Sequence, residues 1–413
     1  MIDATKYTLD NGLRIAVHTD TSTPMAAVNL LYDVGAKDEH PERTGFAHLF
    51  EHLMFGGSDN IPSFDEPLQR AGGENNAFTN NDFTNYYITL PAQNIETAFW
   101  LESDRMLRLA FSERSLEVQR SVVIEEFNQN YLNRPYGDMW MLLRQLAYKQ
   151  HPYRWCTIGI SPEHIRHATL AEVEDFFYSH YAPNNAILTV AGPLQPDRVL
   201  ELAQRWFGPI ARRNVHPRRL PAEPQQTAPR ELEAQRDVPF NALMMAYHMP
   251  NRTHPDFYTA DLITDALSGG KSGRLYQRLV KEQQLFSGIN CFVTGDIDSG
   301  LLVVQGQLFP NTSFESAERA IAHELEQLAQ CPLPHHELQK LHNRYEANSK
   351  FEEINVLNKA MNLAFYELIG SALDINHEVE RYRAVDAQRV LHLASSMLQP
   401  SNRSTLRYIA SKQ

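Results

Sequence analysis

G-F-A-H-L-F-E-H-L-M-F-G-G, residues 45–57, decides the fold because its outline occurs twice in the chain. H-L-F-E-H-L-M-F-G-G at His48–Gly57 aligns without a gap on D-L-I-T-D-A-L-S-G-G at Asp261–Gly270. Leu49 falls on Leu262, Phe50 on Ile263, and the closing Gly56-Gly57 on Gly269-Gly270. An apolar strand precedes each copy, around Ala26–Val34 in the first and Asn241–His248 in the second. A helix with its strand, repeated at long range, predicts a duplicated domain. The polar positions diverge: His48, Glu51 and His52 fall on Asp261, Thr264 and Asp265, so only the first copy carries the histidines.

Between the copies, Arg212–Arg230 holds four prolines and no apolar periodicity, which marks a linker. The expected organisation is a domain over residues 1–211, a linker over 212–230 and a homologous domain over 231–413, each half near ordinary domain size. The first half opens on a hairpin, with Tyr7–Leu9 and Leu13–Val17 flanking Asp10-Asn11-Gly12, whose Asn-Gly suits a tight turn. The helix over Gly45–Phe55 ends at the glycine pair. A strand pair follows around Asn76–Leu90, helices dominate from Ile95 to Tyr148, and Ile187–Gly192 is a buried strand. Strands interspersed with helix pairs make an α+β domain.

Composition sets outer limits. Of 413 residues, 43% are hydrophobic and 21% charged, an ordinary globular balance. The net charge of −12 is spread along the chain, and no Lys/Arg block offers a nucleic-acid footprint, so nucleic acid is excluded as a partner class. No stretch is apolar for long enough to cross a bilayer, and no signal peptide is apparent. The expectation is a cytoplasmic location if Met1 is the native start, and a periplasmic one if a signal peptide has been removed. Cys156, Cys291 and Cys331 are far apart and lack a C-x-x-C pairing, which fits three structural thiols.

The chemistry lies in the first copy of the helix. His48 and His52 stand four apart, so their rings lie one turn apart on one face, where two imidazoles can hold one Zn²⁺. Glu51 sits at the edge of that face, within reach of a water at the metal without being a ligand. H-x-x-E-H is thus the reverse of H-E-x-x-H with equivalent geometry. Phe46, Leu49, Phe50 and Leu53 on the opposite face pack the helix down. A catalytic zinc needs a third protein ligand and an open fourth position. S-V-V-I-E-E-F at Ser121–Phe127 supplies two adjacent carboxylates, and helical neighbours point about 100° apart, so only one of Glu125 and Glu126 can face the metal. Spacing does not choose between them. His151, His164 and His167 have no metal spacing and read as surface or packed residues.

The pentad, followed some seventy residues later by V-V-I-E-E, resembles the pitrilysin family of inverted-motif zinc metallopeptidases. The short-chain branch similar to mitochondrial processing peptidase is the nearest. G-G-E-N-N-A-F-T-N-N-D-F-T-N-Y-Y at Gly72–Tyr87, H-P-Y-R-W-C-T-I-G at His151–Gly159 and G-R-L-Y-Q-R-L at Gly273–Leu279 match further family segments. The resemblance covers essentially the whole chain and implies Glu126 as third ligand. It also implies that Asn76, Ala77 and Phe78 lie on an edge strand whose backbone pairs with extended peptide. It implies two similar domains, each a mixed, mostly antiparallel sheet with helices packed on it, facing each other across a cavity. The expected function is a zinc endopeptidase, with one Zn²⁺ per chain, acting on peptides or small unfolded proteins in that enclosure.

Two positions depart from the family pattern. Gln119 stands seven residues before Glu126, where the family usually has Glu. In the second half Val280 and Ser287 replace the Arg and Tyr that hold the substrate backbone in many members. The missing pair raises the expectation of a homodimer or a heterodimer with a related chain that supplies these groups. A non-catalytic core-type subunit is the other alternative.

Overall fold

Each half of the chain builds one sheet, and the two sheets have the same plan. The computed structural model of the chain describes residues 1–215 and 218–411. The first half supplies β1 (Thr5–Thr8), β2 (Arg14–Thr19), β3 (Met25–Tyr32), β4 (Glu74–Thr79), β5 (Thr84–Pro91) and β6 (Ala186–Gly192). Its helices are α1 (Phe46–Leu53), α2 (Asp65–Arg70), α3 (Ile95–Leu107), α4 (Glu113–Phe127), α5 (Met139–Ala147), α6 (Pro162–Arg166), α7 (Leu170–His180) and α8 (Pro196–Trp206). The second half supplies β7 (Arg230–Arg236), β8 (Ala242–His248), α9 (Phe257–Ser268), β9 (Phe286–Val293) and β10 (Leu301–Leu308). After these come α10 (Phe314–Gln330), α11 (His335–Glu352), α12 (Val356–Ile369), α13 (Glu378–Arg383), α14 (Ala387–Met397) and β11 (Arg403–Ala410).

The first sheet runs β1-β2-β6-β3-β5-β4 and the second β7-β11-β8-β10-β9. Beyond β1, the strands correspond one to one: β2 with β7, β6 with β11, β3 with β8, β5 with β10 and β4 with β9. The β2/β6 and β7/β11 pairs are parallel and all other neighbours antiparallel. The expected mixed, mostly antiparallel sheet is therefore present twice, and α1 and α9 each follow the equivalent central strand. Gly12, at φ +93, closes the β1–β2 hairpin turn, a conformation that costs a glycine little. β6 is buried along its whole length, as a strand covered on both faces must be.

The compact units do not follow the linear halves. One unit comprises Met1–Asn128, Trp155–Leu220 and Ser349–His377; the other comprises Gln129–Arg154, Pro221–Asn348 and Glu378–Gln413. Each compact unit thus draws on both halves of the chain through a reciprocal exchange of helices. α12, from the second half, lies on β3 and β6, where Ala27, Ala191 and Ala360 pack together and Thr189 Oγ1 donates to Ala360 O at 2.8 Å. α5, from the first half, packs Met139, Leu143 and Ala147 against Ala242, Met244, Leu406 and Tyr408 of the second sheet. Contiguity in sequence does not decide which sheet face a helix covers; the fit of its side chains against the strands does.

The proline-rich segment is irregular but tied down. Arg213 donates to the Tyr181, Met106 and Leu107 carbonyls, and Arg218 reaches Asp33 and Asp38. Glu223 accepts the amides of Lys149, Gln150 and His151 at 2.9–3.0 Å. His216 and Pro217 of the expected linker lie outside the described residues. Among the described residues no helix is long and apolar enough to cross a membrane.

Candidate metal centre

α1 is short and amphipathic. Phe46, Ala47, Leu49, Phe50 and Leu53 are buried, while His48, Glu51 and His52 are half-buried on the other face. Phe50 stacks on Tyr181 at 5.1 Å between centroids, which fixes the helix's rotation. Its first residue follows Gly45 at φ +92, where a Cβ would come within 2.8 Å of Ile158 O, so that entry turn requires glycine. Gly45 cannot cap the helix with a side chain. Glu39 does so from six residues earlier: its buried carboxylate accepts the Gly45 and Ala47 amides at 2.9 and 2.8 Å. Burial pushes the Glu39 carboxyl well above the usual range, against the pull of those two amides.

α4 brings the third donor. Ser112 caps it by accepting the Ser115 amide, and Leu116, Val123 and Phe127 bury one face. Glu126 is half-buried and faces α1, whereas Glu125 is exposed. Glu126 Oε2 lies 3.7 Å from His48 Nε2 and 3.5 Å from His52 Nε2, and the two imidazoles cross at 90° with centroids 4.9 Å apart. One ligand atom from each of the three falls within 4.8 Å of the others, which no other His, Cys, Asp or Glu group does among the described residues. Bonds of about 2.1 Å at tetrahedral angles separate ligand atoms by about 3.4 Å. The donor set therefore fits Zn²⁺ in both chemistry and spacing.

The electrostatics agree with a cation site. Burial lowers the His48 pKa to about 4, only partly offset by Glu126, so this imidazole is neutral and has a lone pair available at neutral pH. Its Nδ1 is buried without a hydrogen-bond partner among the described residues. Glu126 is held below the usual carboxylate range, chiefly by the His52 hydrogen bond. Burial raises the Glu51 pKa, opposed by hydrogen bonds from Thr79, which suits a group that must accept and later release a proton. Thr79 and Glu39 carry no signal that spacing alone would find; both reach α1 only through the folded chain.

β4 is the edge strand of its sheet, with Asn76, Ala77 and Phe78 on it. Asn80 N donates to Phe83 O at 3.1 Å and the register pairs Phe78 with Asn85 and Ala77 with Tyr86. Antiparallel alternation then places the backbone groups of Asn76 and Phe78 inside the sheet and turns those of Ala77 outward. The Ala77 amide meets the Asn76 side-chain oxygen at 2.8 Å. Of the three residues, Ala77 is the one oriented to pair with an added strand.

Gln119 is half-buried on α4. Val280 packs against the core of the second unit, and Ser287, exposed on β9, donates to Gln307 O at 3.3 Å. At the positions equivalent to His48 and His52, Asp261 accepts the Tyr382 hydroxyl at 2.6 Å and Asp265 lies 3.5 Å from Arg344. A phenol and a guanidinium thus occupy both carboxylates. His151 is buried against Tyr153, and His164 Nδ1 accepts the Thr44 amide just before α1. Cys156 and Cys291 are buried thiols and Cys331 is exposed.

Comparison with known proteins gives two domain matches. Residues 14–153 match the family model described as insulinase (peptidase family M16), and residues 167–345 match that described as peptidase M16 inactive domain. The zinc protease PqqE of Helicobacter pylori is 30% identical over 365 residues, covering 86% of this chain and 81% of that protein. A probable mitochondrial-processing peptidase subunit beta of Arabidopsis thaliana is 25% identical, over 72% of this chain and 58% of its own length. The crystal structure of a protease from Helicobacter pylori superposes with a TM-score of 0.93 at 26% identity, covering 99% of this chain and 100% of that one.

Proposed function

This chain belongs to the M16 (pitrilysin) peptidase family, and on that premise we propose that it is a zinc-dependent endopeptidase for peptides or small unfolded proteins. His48, His52 and Glu126 hold one Zn²⁺, Glu51 is the general base, and the edge of β4 receives the peptide. The observation that carries the proposal is the approach of Glu126 to both His48 and His52 at 3.5–3.7 Å, with Glu51 on the same short helix.

When bound, the zinc would lower the pKa of a water and polarise the scissile carbonyl. The chain's own groups do the rest. Glu51 takes a proton from the attacking water onto its carboxylate and passes it to the leaving amine. A peptide extended along β4 pairs with the outward groups of Ala77, which sets which bond lies over the site. Half-burial of His48, His52 and Glu51 limits competing solvent around the base. Zinc stoichiometry together with cleavage of a quenched peptide library tests the proposal: one zinc per chain without cleavage of any peptide would reduce it to a metal-binding scaffold.

A second reading is favoured by Val280 and Ser287, which offer neither a guanidinium nor a phenol toward a bound backbone. In that reading the chain is the metal-bearing member of a homodimer or of a heterodimer with a related chain. Full turnover by the purified chain as a monomer would overturn it.

A further inference from the structure

α6, which follows the His151–Gly159 segment, is tied to both helices that carry the metal donors, and the peptidase proposal gives it no role. α1, α4 and α6 belong to one compact unit. Toward α1, His164 Nδ1 accepts the Thr44 amide at 3.2 Å and lies 2.8 Å from Thr44 Oγ1, which accepts the Ile160 amide at 2.9 Å. Thr44 is fully buried and stands four residues before His48. An amide can only donate, so His164 Nδ1 carries the lone pair and the imidazole is neutral, with its proton on Nε2. Burial and the Arg43 guanidinium, opposed by Glu42, lower the His164 pKa in agreement. Toward α4, the half-buried Arg120 guanidinium donates to Arg166 O and Ala168 O, both at 3.1 Å, at and just beyond the other end of α6.

We propose that α6 is a strut that sets α1 against α4, with His164 and Arg120 as positioning residues at its two ends. The inference rests on the reading of His48, His52 and Glu126 as zinc ligands. Its physical basis is that the three donors come from two helices, so their spacing is only as fixed as the helix pair. Glu126 Oε2 sits 3.5–3.7 Å from both imidazoles, and a metal site tolerates displacements of only about 0.5 Å. Slack between the helices therefore reaches the metal as lost affinity. Arg120 lies about 9 Å along α4 from Glu126, and Thr44 leads directly into the turn that carries His48, so each end of the strut acts close to the donors it serves. Contacts beyond the ligands commonly contribute about 10- to 100-fold to metal affinity.

The test uses zinc titration and the visible spectrum of the cobalt(II)-loaded chain, whose d–d bands report ligand geometry without any turnover. His164→Leu and Arg120→Met should each weaken zinc binding about tenfold and alter the cobalt bands. His164→Asn, whose Oδ1 replaces Nδ1 as acceptor, should stay within about threefold of the parent. The double variant His164→Leu/Arg120→Met should also lose only about tenfold, because breaking either end frees the strut, whereas independent contacts would multiply to about 100-fold. Parental affinity and bands in His164→Leu or in Arg120→Met, a His164→Asn protein as impaired as His164→Leu, or a multiplicative double variant would each overturn the role. Arg120→Met decides it if His164→Leu does not fold. If the parent binds zinc but cleaves no peptide, the peptidase proposal falls, while the metal readouts still decide the strut. A parent that binds no zinc would overturn both.

Discussion

The carboxylate of Glu39 accepts the Ala47 amide at 2.8 Å and so fastens the first turn of the helix that carries His48, Glu51 and His52. The helix is eight residues long and begins after a glycine, so this remote cap replaces the side-chain cap it lacks. Glu39→Ala should cost about 2 kcal/mol of stability, because two buried amides lose their acceptor. It should also weaken zinc binding, by fraying the turn that holds His48. Denaturant unfolding and zinc titration measure the two effects, and a variant indistinguishable from the parent in both would remove Glu39 from this role. Glu39→Gln, which keeps one acceptor oxygen, should fall between.

Glu51→Gln should retain one zinc per chain and lose peptide hydrolysis by more than about 100-fold, the usual contribution of a placed base. The amide cannot take the proton, whereas all three donors remain. Metal analysis alongside a fluorogenic peptide assay decides it, and turnover near the parental rate would eliminate Glu51 as the base.

The two adjacent glutamates of α4 should separate cleanly. Glu126→Gln is expected to lose zinc, since it removes the anionic oxygen facing both imidazoles, and Glu125→Gln to keep it. Equal zinc content in the two variants would contradict the geometry.

The metal-free protein should lose stability as pH falls from about 6.5 to about 4. His48 is held neutral by burial, with its folded pKa lowered to about 4. Over that window the unfolded chain binds a proton at His48 that the folded chain does not, so acid favours unfolding. The loss should be of order 2–3 kcal/mol. Thermal melts of metal-free protein at pH 7 and 4.5 measure it, with His48→Ala as the control that should flatten the difference.

Much of this was legible in the residues. The four-residue spacing puts His48 and His52 on one helix face whatever surrounds them, because 3.6 residues make a turn. The duplicated outline at His48–Gly57 and Asp261–Gly270 anticipated two sheets of one plan, since the same periodicity must bury the same face. The β-branched and aromatic residues within Asn76–Leu90 marked a strand pair.

Other features depended on contacts between segments distant in the chain. Adjacent residues of a helix are equivalent to a spacing argument, and only the packing of α4 against α1 turns Glu126 toward the histidines. The exchange of α5 and α12 is invisible along the chain, because an amphipathic helix carries no mark of which sheet it will cover. Glu39 reaches α1 from six residues before Gly45, through hydrogen bonds whose partners no local pattern specifies. The sequence by itself therefore determined the donor types and their periodicity, which follow from local backbone geometry. Tertiary structure alone decided which carboxylate faces the two histidines and what caps their helix, because both depend on how separate elements pack.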